Sequence, residues 1–230
     1  MPRTSSADEV KKEHLDKLGP DLGPVYHALW NECAWLHVKW QQYKELYGTK
    51  PERIDLLNNT ARVFFRVVED SLWADILLHL TTLTDPPKSV GKENLTICRL
   101  PGLLKSGDFQ KEVTKAVDEA LKATEFARDW RNRRYAHRDL ALAMKSGSKP
   151  LASASRLRVR DAIDAVCEVV RKINLHHFGS NIDFGRIPEL GGGLQLLYVL
   201  RDGLEARVAR RERLRAGKPD RKDLEPPKPI

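Results

Sequence analysis

Apolar side chains recur along this chain at steps of three and four residues, the period of one face of an α-helix, and the segments carrying them are long. From about Pro24 to Tyr47 the residues Tyr26, Trp30, Leu36, Trp40, Tyr43 and Tyr47 fall in line, after an entry punctuated by Pro20 and Pro24. Gly48, Thr49 and Pro51 close that helix and open the next, with Thr49 placed to cap it. From Pro51 to Thr84 the residues Ile54, Leu57, Ala61, Phe64, Val68, Leu72, Ile76 and Leu80 form one stripe, which Asp85-Pro86-Pro87 ends. Residues 86–106 read as a loop with a short helix around Leu95 to Leu104. Asp108 then opens a helix whose inward residues are Phe109, Val113, Val117, Ala120, Thr124 and Ala127. After a Gly/Ser/Pro linker from Gly147 to Ser155, helix returns over Leu157 to Phe178, with Val159, Ile163, Val166, Val170, Ile173 and His177 aligned. A glycine-rich segment, Gly179 to Gly193, leads to a last helix near Leu194 with Leu197, Leu200 and Leu204 on one face. No stretch alternates as a strand would. The pattern predicts an all-α bundle of five to six main helices: an N-terminal arm over 1–19, one helical domain over 20–215 and a disordered basic tail over 216–230.

Composition narrows the setting. With 230 residues, 41% hydrophobic and 31% charged, the chain has the make-up of a globular protein with a sizeable core. No apolar run approaches the roughly 20 residues of a membrane-spanning helix. The opening MPRTSSADEVKKEHLDK lacks the apolar centre of a secretory signal. Cys33, Cys98 and Cys167 lie far apart with no CxxC pair, which suits reduced thiols better than a disulfide framework. A cytoplasmic protein with no membrane partner is therefore expected. The net charge of +8 fits a polyanionic partner such as nucleic acid, although basicity alone is weak evidence for one.

The segment RDWRNRRYAHRDL, Arg128 to Leu140, changes the picture. Helical steps carry the apolar stripe of the preceding helix through Arg131, Arg134 and Arg138, and a second line through Trp130 reaches Arg134 and His137. Cations thus continue the inward face. Burying arginine without a partner costs several kcal/mol, so these positions must meet an acid, an anion or solvent at a cleft. A structural reading stands beside the functional one, because cations favour the last turn of a helix and Asp129 or Asp139 would neutralise the cluster. Asp70, Asp75 and Asp85 are further candidate partners on or just past the long second helix.

Arg131-Asn132, then RRYA, then His137, with five positions between the arginine and the histidine, resembles the motif of the HEPN superfamily: an arginine, a polar residue, and a histidine. In addition, FFRVVEDSLWADILLHLTTLTDPP followed by KENLTICRLPGLL is similar to the abortive-infection U-type branch, and the likeness covers roughly residues 20 to 180. The resemblance implies an all-helical, HEPN-like and dimeric fold. It also implies a metal-independent ribonuclease, a toxin-like effector in prokaryotic antiviral defence, with RNA as substrate and an antitoxin or other defence-system protein as a further partner. On that reading His137 is the general acid/base, since histidine titrates near neutrality. Arg131 is the phosphate clamp and Asn132 orients substrate or histidine. Arg133, Arg134 and Arg138 supply substrate contacts. No cofactor or metal is called for. In one subgroup a tyrosine follows the histidine by two positions and is modified by a partner enzyme; here Asp139 occupies that place. A different class stays open: a non-catalytic HEPN module that binds RNA or nucleotide, or mediates assembly in a defence or toxin–antitoxin system.

In a regular helix, positions six apart are separated by about 240°, so Arg131 and His137 would not face each other. Either the helix distorts within the motif, or the two residues work across a subunit interface. Arg133, four residues before His137, is a competing clamp. Elsewhere, Cys33, His37 and His27 lack a fourth ligand for zinc, and an aromatic-rich core helix accounts for them. His176 and His177 suit a helix C-terminus. Gly191-Gly192-Gly193 lacks the lysine and preceding strand of a phosphate loop and reads as a connection. The run Ala209 to Arg215 reads as a solvated face, with RNA contact as the lesser reading.

Overall fold

The computed structural model describes residues 6–48, 50–136, 139–144, 147, 149–185 and 192–225. The fold is all-α. Its helices are α1 (Ala7–Tyr47), α2 (Pro51–Leu83), α3 (Leu100–Leu103), α4 (Asp108–Trp130), α5 (Leu140–Ala143), α6 (Arg156–Phe178) and α7 (Gly193–Arg215). A π-helical turn, Arg131–Tyr135, extends α4, and a short ribbon of β1 (Lys88–Ser89) and β2 (Lys92–Glu93) follows α2. The ribbon escaped the sequence pattern because two-residue strands carry no alternation. It closes on Val90 and Gly91, both at positive φ (48° and 77°), the combination a two-residue hairpin loop demands.

Contacts group the chain into two compact units, residues 1–40 with 72–187, and 41–71 with 188–230, where the sequence pattern had suggested one domain over 20–215. The first unit has a core of Tyr26, Leu29 and Leu36 from α1, Ile76, Leu77 and Leu80 from α2, Val113 and Ala120 from α4, and Ile163, Val166, Val170 and Ile173 from α6. The apolar stripes read from α4 and α6 are buried, as their spacing requires. Ser155 caps α6 through the Arg158 amide, and Gly179 ends it at φ 66°, a left-handed position that favours glycine.

Two differences from the pattern have local causes. Helix begins at Ala7, not near Pro24, so the expected N-terminal arm is itself helical. It breaks at Gly19 (φ 78°) and doubles back: His14 and His27 would be about 20 Å apart on a straight helix, yet their Nδ1 atoms lie 3.0 Å apart. Gly23 permits this, because a Cβ there would sit 3.0 Å from the Leu15 Cα.

The second difference lies in the other unit, built from the end of α1, the first part of α2, and α7. Ala61 departs from helical geometry (φ −155°, ψ 70°) and resets the register of α2. Phe65 is therefore buried, with its carbonyl accepting from the Tyr47 hydroxyl at 2.8 Å, while Phe64 is 61% exposed. Gln42 and Glu45 accept from the amides of Gly193 and Leu194 at 2.6 and 3.0 Å. Those amides at the start of α7 are thus satisfied by side chains, in keeping with a connection rather than a phosphate cradle. Residues 217–225 follow α7 in a turn and a short 3-10 helix, Arg221–Asp223. The Asp223 carboxylate takes two bonds from Arg213, both 2.7 Å, and the arginine holds its pKa down at about 2.

Candidate functional site

The site belongs to the first unit, where the C-terminal end of α2 meets the C-terminal end of α4. Thr84 is buried and turns its hydroxyl back to the Leu80 carbonyl, which leaves its own carbonyl for outside donors. The segment after it is tied down closely. Thr96 donates to the Leu83 carbonyl at 2.9 Å, Asn94 to the Pro86 carbonyl at 2.8 Å, and Arg99 to the Pro87 carbonyl at 2.7 Å. Arg99 also pairs with Glu93. These contacts are the physical content of LTDPP and ENLTICRL: they make a rigid shelf that presents Asp85.

Asp85 faces two arginines of the Arg128–Leu140 segment. Arg131 Nη1 donates to both carboxylate oxygens, at 2.8 and 2.9 Å, and Arg128 Nη1 donates to one of them at 2.6 Å. Arg128 further donates through Nη2 to the Thr84 carbonyl at 2.9 Å. With Asp85 side-chain exposure at 22% and Arg131 at 27%, the cluster is only partly hydrated. Cations on the inward stripe thus meet an acid, which is the condition their burial imposes. Of the acids considered from sequence, Asp75 pairs with Lys39 and Asp70 with Arg66, and Asp85 is the one that Arg131 reaches.

Arg131 Nε donates to Asn132 Oδ1 at 3.1 Å, so the first two motif residues touch. Arg133 turns elsewhere, to Asp129 at 3.4 Å and Asp139 at 3.5 Å, and also donates to the Lys149 carbonyl. Arg134 is exposed and lies over the Trp130 ring at 5.2 Å. Trp130 and Asp129 in turn fasten the chain beyond the motif: the indole donates to the Ala152 carbonyl at 2.7 Å, and Asp129 accepts from the Ala152 amide at 2.8 Å. A cleft of about 580 Å³ opens here, lined by Arg133, Arg134, Tyr135, Ala136, Asp139 and Leu142 among others. Asp139 caps α5 through the Leu142 amide, and that bond, with Arg133 beside it, holds its carboxyl below the usual range. His137 and Arg138 lie outside the described residues.

The backbone answers part of the geometric puzzle. Arg131 to Tyr135 form a π-turn in which the Ala136 amide donates to the Arg131 carbonyl at 2.8 Å, a five-residue step. The helix is therefore distorted inside the motif, and the regular angle between Arg131 and position 137 does not apply. Such bulges concentrate at functional sites. Sequence reasoning missed Arg128 and Thr84 as members of the cluster. Arg128 begins the RDWRNRRYAHRDL segment and lies three residues before Arg131, one helical turn away, which is the signal that would have found it.

The other candidates are structural. Cys33 is fully buried and hydrogen-bonded to Cys167 of α6. Burial raises the Cys167 thiol, but the neighbouring Cys33 and His37 outweigh it and hold its pKa below the usual thiol value. His176 stacks on Phe109 at 3.8 Å.

The site is thus an arginine–asparagine turn at the end of a long helix of an all-α bundle, with the arginine braced by an acid from a neighbouring helix end. Residues 20–190 match the HEPN AbiU2 family, and the chain belongs to that family, a HEPN domain related to abortive infection. No curated protein and no solved structure matches the chain.

Proposed function

We propose that the protein is a metal-independent ribonuclease that acts as a toxin-like effector in antiviral abortive infection. The observation that carries the reading is Arg131, fixed through Nη1 by Asp85 at the mouth of a π-turn. The other terminal nitrogen, Nη2, has no hydrogen-bond partner among the described residues. A guanidinium anchored through Nη1 and Nε can offer Nη2 to a phosphate, already oriented and without reorganisation. His137 is the acid/base. It moves the proton as the 2′-hydroxyl oxygen bonds to phosphorus and the 5′-oxygen leaves, giving a 2′,3′-cyclic phosphate and a 5′-hydroxyl. Asn132 holds Arg131 or the substrate, and Arg134 and Arg138 contact the backbone. Arg133, bound to two acids and a carbonyl, supports the cleft in preference to clamping the scissile phosphate.

The active unit is a homodimer with both motifs at one interface. Arg131→Ala and His137→Ala should each abolish RNA cleavage. Mixing the two inactive proteins should restore part of it, because a mixed dimer rebuilds one arginine–histidine pair. Full activity in a protein that sediments as a monomer at assay concentration would rule out the shared site. The engagement of Arg128, Arg131 and Arg133 by acids of the same chain favours a second reading, a non-catalytic module of a defence or antitoxin-bearing system; binding of RNA without any cleavage is its signature.

A further inference from the structure

The last helix repeats, in the other unit, the anomaly of the motif. At the start of α7, Gly193 and Leu197 are buried, and Leu200 and Leu204 continue their face half-buried. At 3.6 residues per turn, Arg207, Arg211 and Arg215 fall on that same side of the helix, within about 80° of one another. All three are exposed, and among the described residues none makes a salt bridge or hydrogen bond. Arg210 and Arg213 point to another side, where the Asp223 carbonyl and carboxylate receive them and fix the following turn. Of the six arginines of α7, Arg201 pairs with Asp202, Arg210 and Arg213 hold the turn that follows, and three stand in a row, about 6 Å apart along the axis; Glu212, one turn before Arg215, makes no salt bridge with them among the described residues.

We infer that Arg207, Arg211 and Arg215 form a binding ledge for the sugar–phosphate backbone of a single-stranded RNA segment. The inference rests on the ribonuclease reading for its choice of polyanion. Three exposed guanidinium groups at regular spacing, none in a salt bridge among the described residues, are what a phosphate chain requires, and they read charge without reading sequence. An anionic membrane fits less well. A helix lying in a bilayer surface needs an apolar face opposite its cations, and here that side carries Asp202 and Arg213, with Glu205 at its edge.

The test uses full-length protein and a fluorescein-labelled oligoribonucleotide made uncleavable by 2′-O-methyl groups, with affinity followed by anisotropy from low to high salt. Replacing all three arginines with glutamine should flatten the salt dependence by ~0.7 for each lost phosphate contact, about 2 in the logarithmic slope. Replacing them with lysine should leave the slope unchanged, which separates charge from packing. An unchanged slope in the glutamine variant, with α-helical circular dichroism intact, overturns the ledge. So does loss of binding to phosphatidylcholine–phosphatidylserine vesicles while RNA binding is retained. Wild-type protein that binds the modified RNA with the expected slope but leaves unmodified RNA whole would refute the nuclease reading and keep the ledge.

Discussion

Replacing Asp85 with alanine should damage the protein far more than replacing the arginine it holds. The carboxylate accepts three charged hydrogen bonds at 2.6–2.9 Å from Arg128 and Arg131 while only 22% exposed. With charge centres about 4 Å apart, each such pair attracts with about 4 kcal/mol at an effective dielectric near 20, before desolvation is subtracted. Removing the shared acid also leaves two guanidinium groups facing each other. Breaking a fully buried pair costs roughly 3–5 kcal/mol and an exposed one under about 1; partial exposure puts Asp85→Ala at about 2–3 kcal/mol. For a chain of this size that is a fall in Tm of roughly 4–12 °C. Arg131→Ala should cost only about 1 kcal/mol, because Asp85 keeps Arg128 at 2.6 Å. Thermal unfolding followed by circular dichroism on the two single variants and the double variant measures this asymmetry and the coupling between the residues. Equal, small shifts in both single variants would falsify the shelf that Asp85 is said to provide.

Phe65→Ala should cost roughly 3–5 kcal/mol and Phe64→Ala under about 1 in urea unfolding; the reverse order would return α2 to an unbroken helical register. The helical arm should loosen in acid: burial lowers the pKa of both His14 and His27, so its stability is complete above about pH 6.5 and declines as pH falls below that. Hydrogen exchange of residues 8–18 reports the change, and protection that is flat from pH 7 to 5 would contradict it. Truncation after Ala216 removes Asp223 from Arg210 and Arg213, so exchange should rise over the last two turns of α7 while cleavage sites stay where they are. The full chain should show the same local loosening on acidification from about pH 4 toward 2, since the Asp223 pKa is depressed to about 2 and its contribution is lost as the carboxylate is protonated.

Periodicity was enough to find α2, α4, α6 and α7, because each buries a stripe that recurs with the helical period. It failed at Phe64 because one residue, Ala61, leaves helical geometry, and nothing in an alanine advertises that. It failed at the arm because Gly19 and Pro20 look like an end, whereas they are a bend; the buried His14 packs against Tyr26 and His27 and holds the returning helix. At the site, the arginines on an inward stripe announced that an acid must be near. Choosing Asp85 over Asp70 and Asp75 required the tertiary fold, since Arg131 and Asp85 stand 46 positions apart. The π-turn belongs to the same class of feature: a spacing of six between arginine and histidine signals that a regular helix is inadequate, without saying how the backbone yields. Asp223 was hidden for another reason: a charged, proline-bearing tail carries no apolar period, and its pairing with Arg213 depends on the turn after α7.

The most direct measurement is cleavage of single-stranded and structured RNA by purified protein in EDTA, with the chemistry of the new ends determined. The histidine–arginine site predicts 2′,3′-cyclic phosphate or 3′-phosphate ends, undiminished by chelation and absent with Arg131→Ala and with His137→Ala. Cleavage that appears only on adding magnesium, or that survives in both variants, would contradict it.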